Sequence, residues 1–287
     1  MTSVVSTKKT QPVLWASLVR IIATLFIFLF HYLKMYKMRT YGMDIMRISL
    51  FCFISGYFAW KPGGTNAWQW FWHRYKAIMI PYWMVIVPVL IANGVRDYKP
   101  APLTDAIIIF FGGSMFLSNP VYVISWFITF ILMIYALVAV SRAINQPFLS
   151  GLLFILAGYT FYVGFSWKIT LYLIVFTVGY LIRGYQKRKT IQVERKRSDT
   201  YDLWNRRCFI IQSYAYHFFL VHGVFLVMMI RQFEWAAGVT LVGAVSMSLL
   251  AAWVLKQTSD RVLASINKIT IPIKNSREQD ACLTTRN

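Results

Sequence analysis

Charge is scarce in this chain, and acidic charge scarcest of all. Only 14% of the 287 residues are charged, with 10 Asp and Glu set against 30 Lys and Arg. Soluble domains carry about a quarter, so the composition argues against any sizeable soluble domain. Cysteine is almost absent as well. Cys52, Cys208 and Cys282 show no CxxC or metal-ligand spacing, which points to free thiols and to no metal. No cleavable signal peptide fits the first apolar block, because Arg20 interrupts it and no small-residue cleavage site follows; the block is expected to be retained. There is no internal repeat and no low-complexity tract, so the inverted symmetry common in transporters leaves no trace here.

What the chain has instead is apolar sequence, 58% hydrophobic and 17% aromatic, with a mean hydropathy of +0.53. It comes in blocks near the length that spans a bilayer. The candidate spans are Val13–Leu33, Ile45–Trp60, Ile78–Asn93, Val121–Val140, Phe148–Gly164, Ile169–Ile182, Cys208–Ile230 and Trp235–Leu255. A ninth stretch, Ala106–Leu117, is short, holds Gly112-Gly113 and precedes Asn119-Pro120, so it reads as re-entrant or interfacial. The pattern predicts an all-α polytopic bundle of about eight spans over residues 1–255, with 256–287 as a polar cytoplasmic tail.

A net charge of +20 in a soluble protein would suggest nucleic acid; here the simpler cause is Lys and Arg that fix topology. The amino terminus, the loop Lys61–Lys76, Arg142, the segment Arg183–Arg207 and the tail together carry 21 of the 30 basic residues. The opposite loops carry eight, counting Arg47 and Lys168 at their edges. Both termini are therefore expected on the cytoplasmic side, although Lys34, Lys37 and Arg39 make one outer loop basic.

Ionisable groups inside apolar helices are costly, and they mark sites. Arg20 and His31 lie 11 residues apart in the first span, which places them on one helical face about 16 Å apart along the axis. Ser55-Gly56-Tyr57 ends the second span, where small residues allow close helix packing. His73-Arg74-Tyr75-Lys76 leads into Pro81-Tyr82-Trp83, a basic edge suited either to phosphates or to a positive-inside anchor. Ser125-Trp126-Phe127 opens the fourth span. His217 and His222 are five apart in the seventh, hence on different faces, and do not make a metal pair.

In this order the features resemble the acyltransferase 3 family of integral membrane O-acyltransferases. The first helix of that family carries an Arg and a His separated by ten residues, as Arg20 and His31 are. A Phe-rich Ser-Gly-Tyr helix end follows, matched by Phe51 to Tyr57, then a basic stretch before Pro-Tyr, matched by Arg74-Tyr75-Lys76 and Pro81-Tyr82. Trp126-Phe127 and Phe219-Leu220-Val221-His222 match two later elements. The chain departs from the family pattern in places: Ser17 stands where many members have Asp, Ala77 where many have a second Arg, and two of the family's usual ten or so helices have no counterpart.

The resemblance implies transfer of an acyl group, most often acetyl, from cytoplasmic acyl-CoA to a hydroxyl, usually of a bacterial surface glycan or exopolysaccharide, at the inner membrane. His31 suits the general base, because imidazole titrates near neutrality and Lys34 one turn on favours its neutral form. Arg20 suits the carbonyl or a phosphate, and Arg74 with Lys76 the CoA phosphates. His222 falls toward the acceptor, with Trp126, Tyr82 and Ser55 as secondary contacts. Because CoA is cytoplasmic and His31 lies toward the outside, the pantetheine arm must thread into the bundle or the acyl group must be relayed. Two rival readings are an exporter of glycan or lipid-linked sugar, which would also need an intramembrane Arg and His, and an inactive truncated relative.

Overall fold

The computed structural model describes residues 14–60, 66–95, 102–117, 122, 124–144, 146–163, 166–189, 199–232 and 237–284. These form nine α-helices: α1 (Leu14–Met35), α2 (Met43–Ala59), α3 (Ala67–Val95), α4 (Leu103–Phe110), α5 (Ser125–Ile144), α6 (Gln146–Tyr162), α7 (Trp167–Lys189), α8 (Asp199–Gln232) and α9 (Ala237–Thr284). No strand occurs among the described residues. Each of the eight expected spans falls on one of these helices. Six are long and apolar enough to cross a membrane. The helices α2 and α6, at 17 residues each, reach only about 25 Å, short of a full hydrocarbon core.

The ninth apolar stretch forms the eight-residue α4 and a 3-10 turn at Ser114–Phe116, too short to cross, as expected. Gly112, at φ +79°, ends α4 in the left-handed conformation that lets the last carbonyls find backbone N–H partners. The helix α9 continues without a break past Leu255, where the polar tail was expected to begin. The amino-terminal lysines Lys8 and Lys9, and residues 190–198 of the basic segment, lie outside the described residues.

The chain divides into two compact units: residues 1–62 with 150–219, and residues 63–149 with 220–287. In the first, α1 runs antiparallel to α2, so that Arg20 lies over Phe58 and His31 beside Arg47. The most extensive helix contact is α2 against α7. These two run parallel: Lys168 is paired with Asp44 at their starts, and Tyr57 bonds to Gln186 near their ends. Two glycines permit the approach. A Cβ on Gly56 would stand 2.0 Å from the Phe176 carbonyl oxygen, and one on Gly179 would stand 2.2 Å from that of Phe53. In the second unit α3 packs on α5 and α9. Trp70 near the start of α3 meets Arg142 near the end of α5, and Lys76 meets Asn267 of α9, so both neighbours run antiparallel to α3.

Candidate functional site

The helix α1 is an apolar rod in which Arg20 and His31 are exceptions, and the structure gives each a different neighbour on α2. The guanidinium carbon of Arg20 stands 5.0 Å from the centre of the Phe58 ring. Thr24, one turn on, gives its hydroxyl to the Arg20 carbonyl at 2.9 Å. His31, near the far end of α1, has its Nε2 at 3.4 Å from Nη1 of Arg47. A guanidinium can only donate, so the imidazole lone pair faces Arg47 and the ring proton belongs on Nδ1. Phe30 lies between two cations, with the Arg47 guanidinium 3.8 Å and the Lys34 ammonium 5.9 Å from its ring centre. Arg47 thus puts a cation directly against His31, where the sequence pattern offers only Lys34 one turn on.

At the same end, Lys168 hydrogen-bonds to the Asp44 carboxylate, and this contact holds the Asp44 carboxyl below the usual carboxylate range. Tyr172 gives its hydroxyl to the Asp44 carbonyl at 3.2 Å. The opposite end of the unit is fixed by Tyr57. Its buried hydroxyl receives Nη1 of Arg183 at 2.7 Å and donates to Gln186 Oε1 at 3.0 Å. The Ser55-Gly56-Tyr57 sequence therefore has a packing role: Ser55 is buried, Gly56 seats α7, and Tyr57 ties down the end of α7.

The remaining expected residues lie in the second unit. Arg74 stands 5.8 Å from the Trp70 ring centre and 5.9 Å from that of Tyr135. Arg142 approaches the same indole at 4.3 Å. Two guanidiniums gathered on one buried indole make an electropositive patch of the kind that receives phosphate. Lys76 is turned to α9, with its ammonium 3.1 Å from Asn267 Oδ1. Tyr82 and Trp83 hold α4, donating to the carbonyls of Ile109 and Phe110 at 2.8 Å each. Trp126 sits in the first turn of α5 among Phe127 and Phe130. His222 is fully buried in α8, beside Gly223, which packs against Ile124 and Tyr122. Among the described residues no group of three or more His, Cys, Asp or Glu could hold a metal ion.

Three cations meet these residues without any sequence motif that marks them as site residues. In sequence, Arg47 and Lys168 read as loop-edge charges and Arg142 as a topology marker. The signal for Arg47 was present: it lies inside an apolar helix, where a cation needs a reason.

Residues 13–273 match the family model described as an acyltransferase domain, that of acyltransferase 3. No curated protein and no solved structure matches the chain.

Proposed function

Since the chain belongs to the acyltransferase 3 family, we propose that it moves an acyl group, acetyl in the simplest case, from cytoplasmic acyl-CoA to a hydroxyl of a cell-surface or exopolysaccharide glycan. The bacterial cytoplasmic membrane is the matching location, with the lipid bilayer and a glycan or lipid-linked saccharide as the partners. His31 acts as general base through Nε2, the ring nitrogen that meets Arg47 only at a long 3.4 Å and can exchange that contact for a hydroxyl proton. Arg74, joined by Arg142 on the Trp70 ring, takes the CoA phosphates, and Lys76 stands beside them on the same helix. His222, Trp126 and Tyr82 line the acceptor side.

An eight-span topology with both termini cytoplasmic fits this chemistry, and the parallel run of α2 and α7 supports it. Parallel spans need an odd number of crossings between them. Crossings by α3, α5 and the short α6, around which the bilayer would thin, supply three, whereas a spanning α4 would supply a fourth and reverse α7. The observation that carries the functional reading is a histidine in an apolar helix facing a guanidinium, within the family's own opening helix. The test compares the acyl content of the surface glycan with and without the gene. Loss of glycan acetylation with unchanged glycan export is expected; export failure with acetylation intact on residual glycan favours the exporter reading.

A further inference from the structure

Arg47 is more costly to this fold than its contacts explain. It is 9% exposed within the apolar helix α2, and its Nε is buried without a hydrogen-bond partner. Its one hydrogen bond is the long contact of Nη1 to His31, at 3.4 Å. Asp44, one turn earlier, has its carboxylate engaged by Lys168, so no ion pair among the described residues includes Arg47. A guanidinium brings five N–H donors, and a buried cation without a matching anion is destabilising. The Phe30 ring, 3.8 Å from the guanidinium carbon, holds it in place but neutralises nothing. Such a group is suited to receiving negative charge from a ligand.

We propose that Arg47 is a catalytic residue that receives the oxyanion of the acyl-transfer step, a role that rests on the acyltransferase reading above. In that step Arg47 Nη1 leaves the His31 lone pair for the carbonyl oxygen, the acceptor hydroxyl oxygen bonds to the thioester carbonyl carbon, and His31 Nε2 takes the hydroxyl proton. The carbonyl π pair moves onto its oxygen, which becomes the oxyanion. Collapse breaks the carbon–sulfur bond, and the departing thiolate takes the proton from the imidazolium. Ester, CoA thiol and neutral imidazole remain, so the residues end as they began. The attacking oxygen and the oxyanion share one tetrahedral carbon, so the base and the oxyanion donor must lie side by side. Nε2 of His31 and Nη1 of Arg47 do so. Arg20, over Phe58 some 11 residues along α2 from Arg47, stands at the other end of that helix. It is therefore Arg47 that meets the carbonyl beside His31.

Inverted membrane vesicles bearing the full chain, given radiolabelled acetyl-CoA, test this by label incorporated into membrane polysaccharide. Arg47→Gln is expected to lower the maximal rate by about 10²–10³-fold, with the half-saturating acetyl-CoA concentration within about threefold of wild type and protein levels equal. Arg47→Lys keeps the charge without the fork and is expected to fall between the two. A wild-type maximal rate in Arg47→Gln overturns the proposal, as does a loss found wholly in half-saturation. If Arg47→Gln does not accumulate, Arg47→Lys decides: a reduced maximal rate at unchanged half-saturation supports the role, and a wild-type rate overturns it. Wild-type vesicles that incorporate no label overturn the acyltransferase reading itself, and the role of Arg47 with it.

Discussion

His31 and Arg20 are legible in sequence because an ionisable side chain in an apolar helix is rare, and their 11-residue spacing puts both on one face. Which groups meet them is a matter of neighbouring helices, and no local pattern states it. Arg47 reads as a loop-edge charge until the antiparallel course of α1 and α2 brings it to His31. The basic edge behaves similarly: Arg74 and Lys76 are adjacent in sequence pattern, yet Arg74 lies on Trp70 with Arg142, and Lys76 turns to Asn267. If the Trp70 patch holds CoA phosphates, Arg74→Gln or Arg142→Gln should weaken acyl-CoA binding more than tenfold, since each charge-assisted contact contributes about 1.5–3 kcal/mol. Lys76→Gln should weaken it less. Titration of purified protein with acyl-CoA checks the order, and equal affinity in all three variants would reduce these residues to topology markers. Arg20→Lys is expected to be poor in acyl transfer, because an ammonium cannot reproduce planar guanidinium contacts.

At the scale of helices, each of the eight apolar blocks fell on a helix, and six of those helices are long and apolar enough to cross a membrane, because burial in lipid imposes one continuous apolar run per crossing. Helix ends were less legible: α9 runs on from its apolar part into polar sequence, since an α-helix needs no lipid to continue. The Ser55-Gly56 signal did read through to packing, and its partner Gly179 became visible only in the structure. Both glycines face backbone rather than side chains, and a carbonyl fixed in a helix cannot swing aside. Gly56→Ala and Gly179→Ala should each force α2 and α7 apart, destabilising the protein by about 1–3 kcal/mol or more, as overpacking does. Gly151→Ala and Gly158→Ala in α6, where nothing lies within 4 Å of the new Cβ, should be tolerated. Thermal unfolding in detergent separates the two pairs, and equal midpoints for all four variants would contradict the close crossing.

For the whole molecule, sidedness follows from basic charge and from the parity of crossings. Residues 184–207 are expected to face the cytoplasm and residues 94–104 the outside, so a cysteine placed at 100 should be labelled by an impermeant reagent in intact cells and one at 190 spared. The reverse pattern would contradict eight spans. Membrane residence and family were legible from composition and five ordered motifs. The acceptor was not, because recognition of a glycan depends on side chains gathered from several helices rather than on any local sequence. Acyl transfer by this chain depends above all on His31 as the base. Vesicles bearing His31→Ala, supplied with radiolabelled acetyl-CoA, should hold normal amounts of the protein yet transfer no label to polysaccharide, whereas transfer at the wild-type rate would contradict His31 as the base.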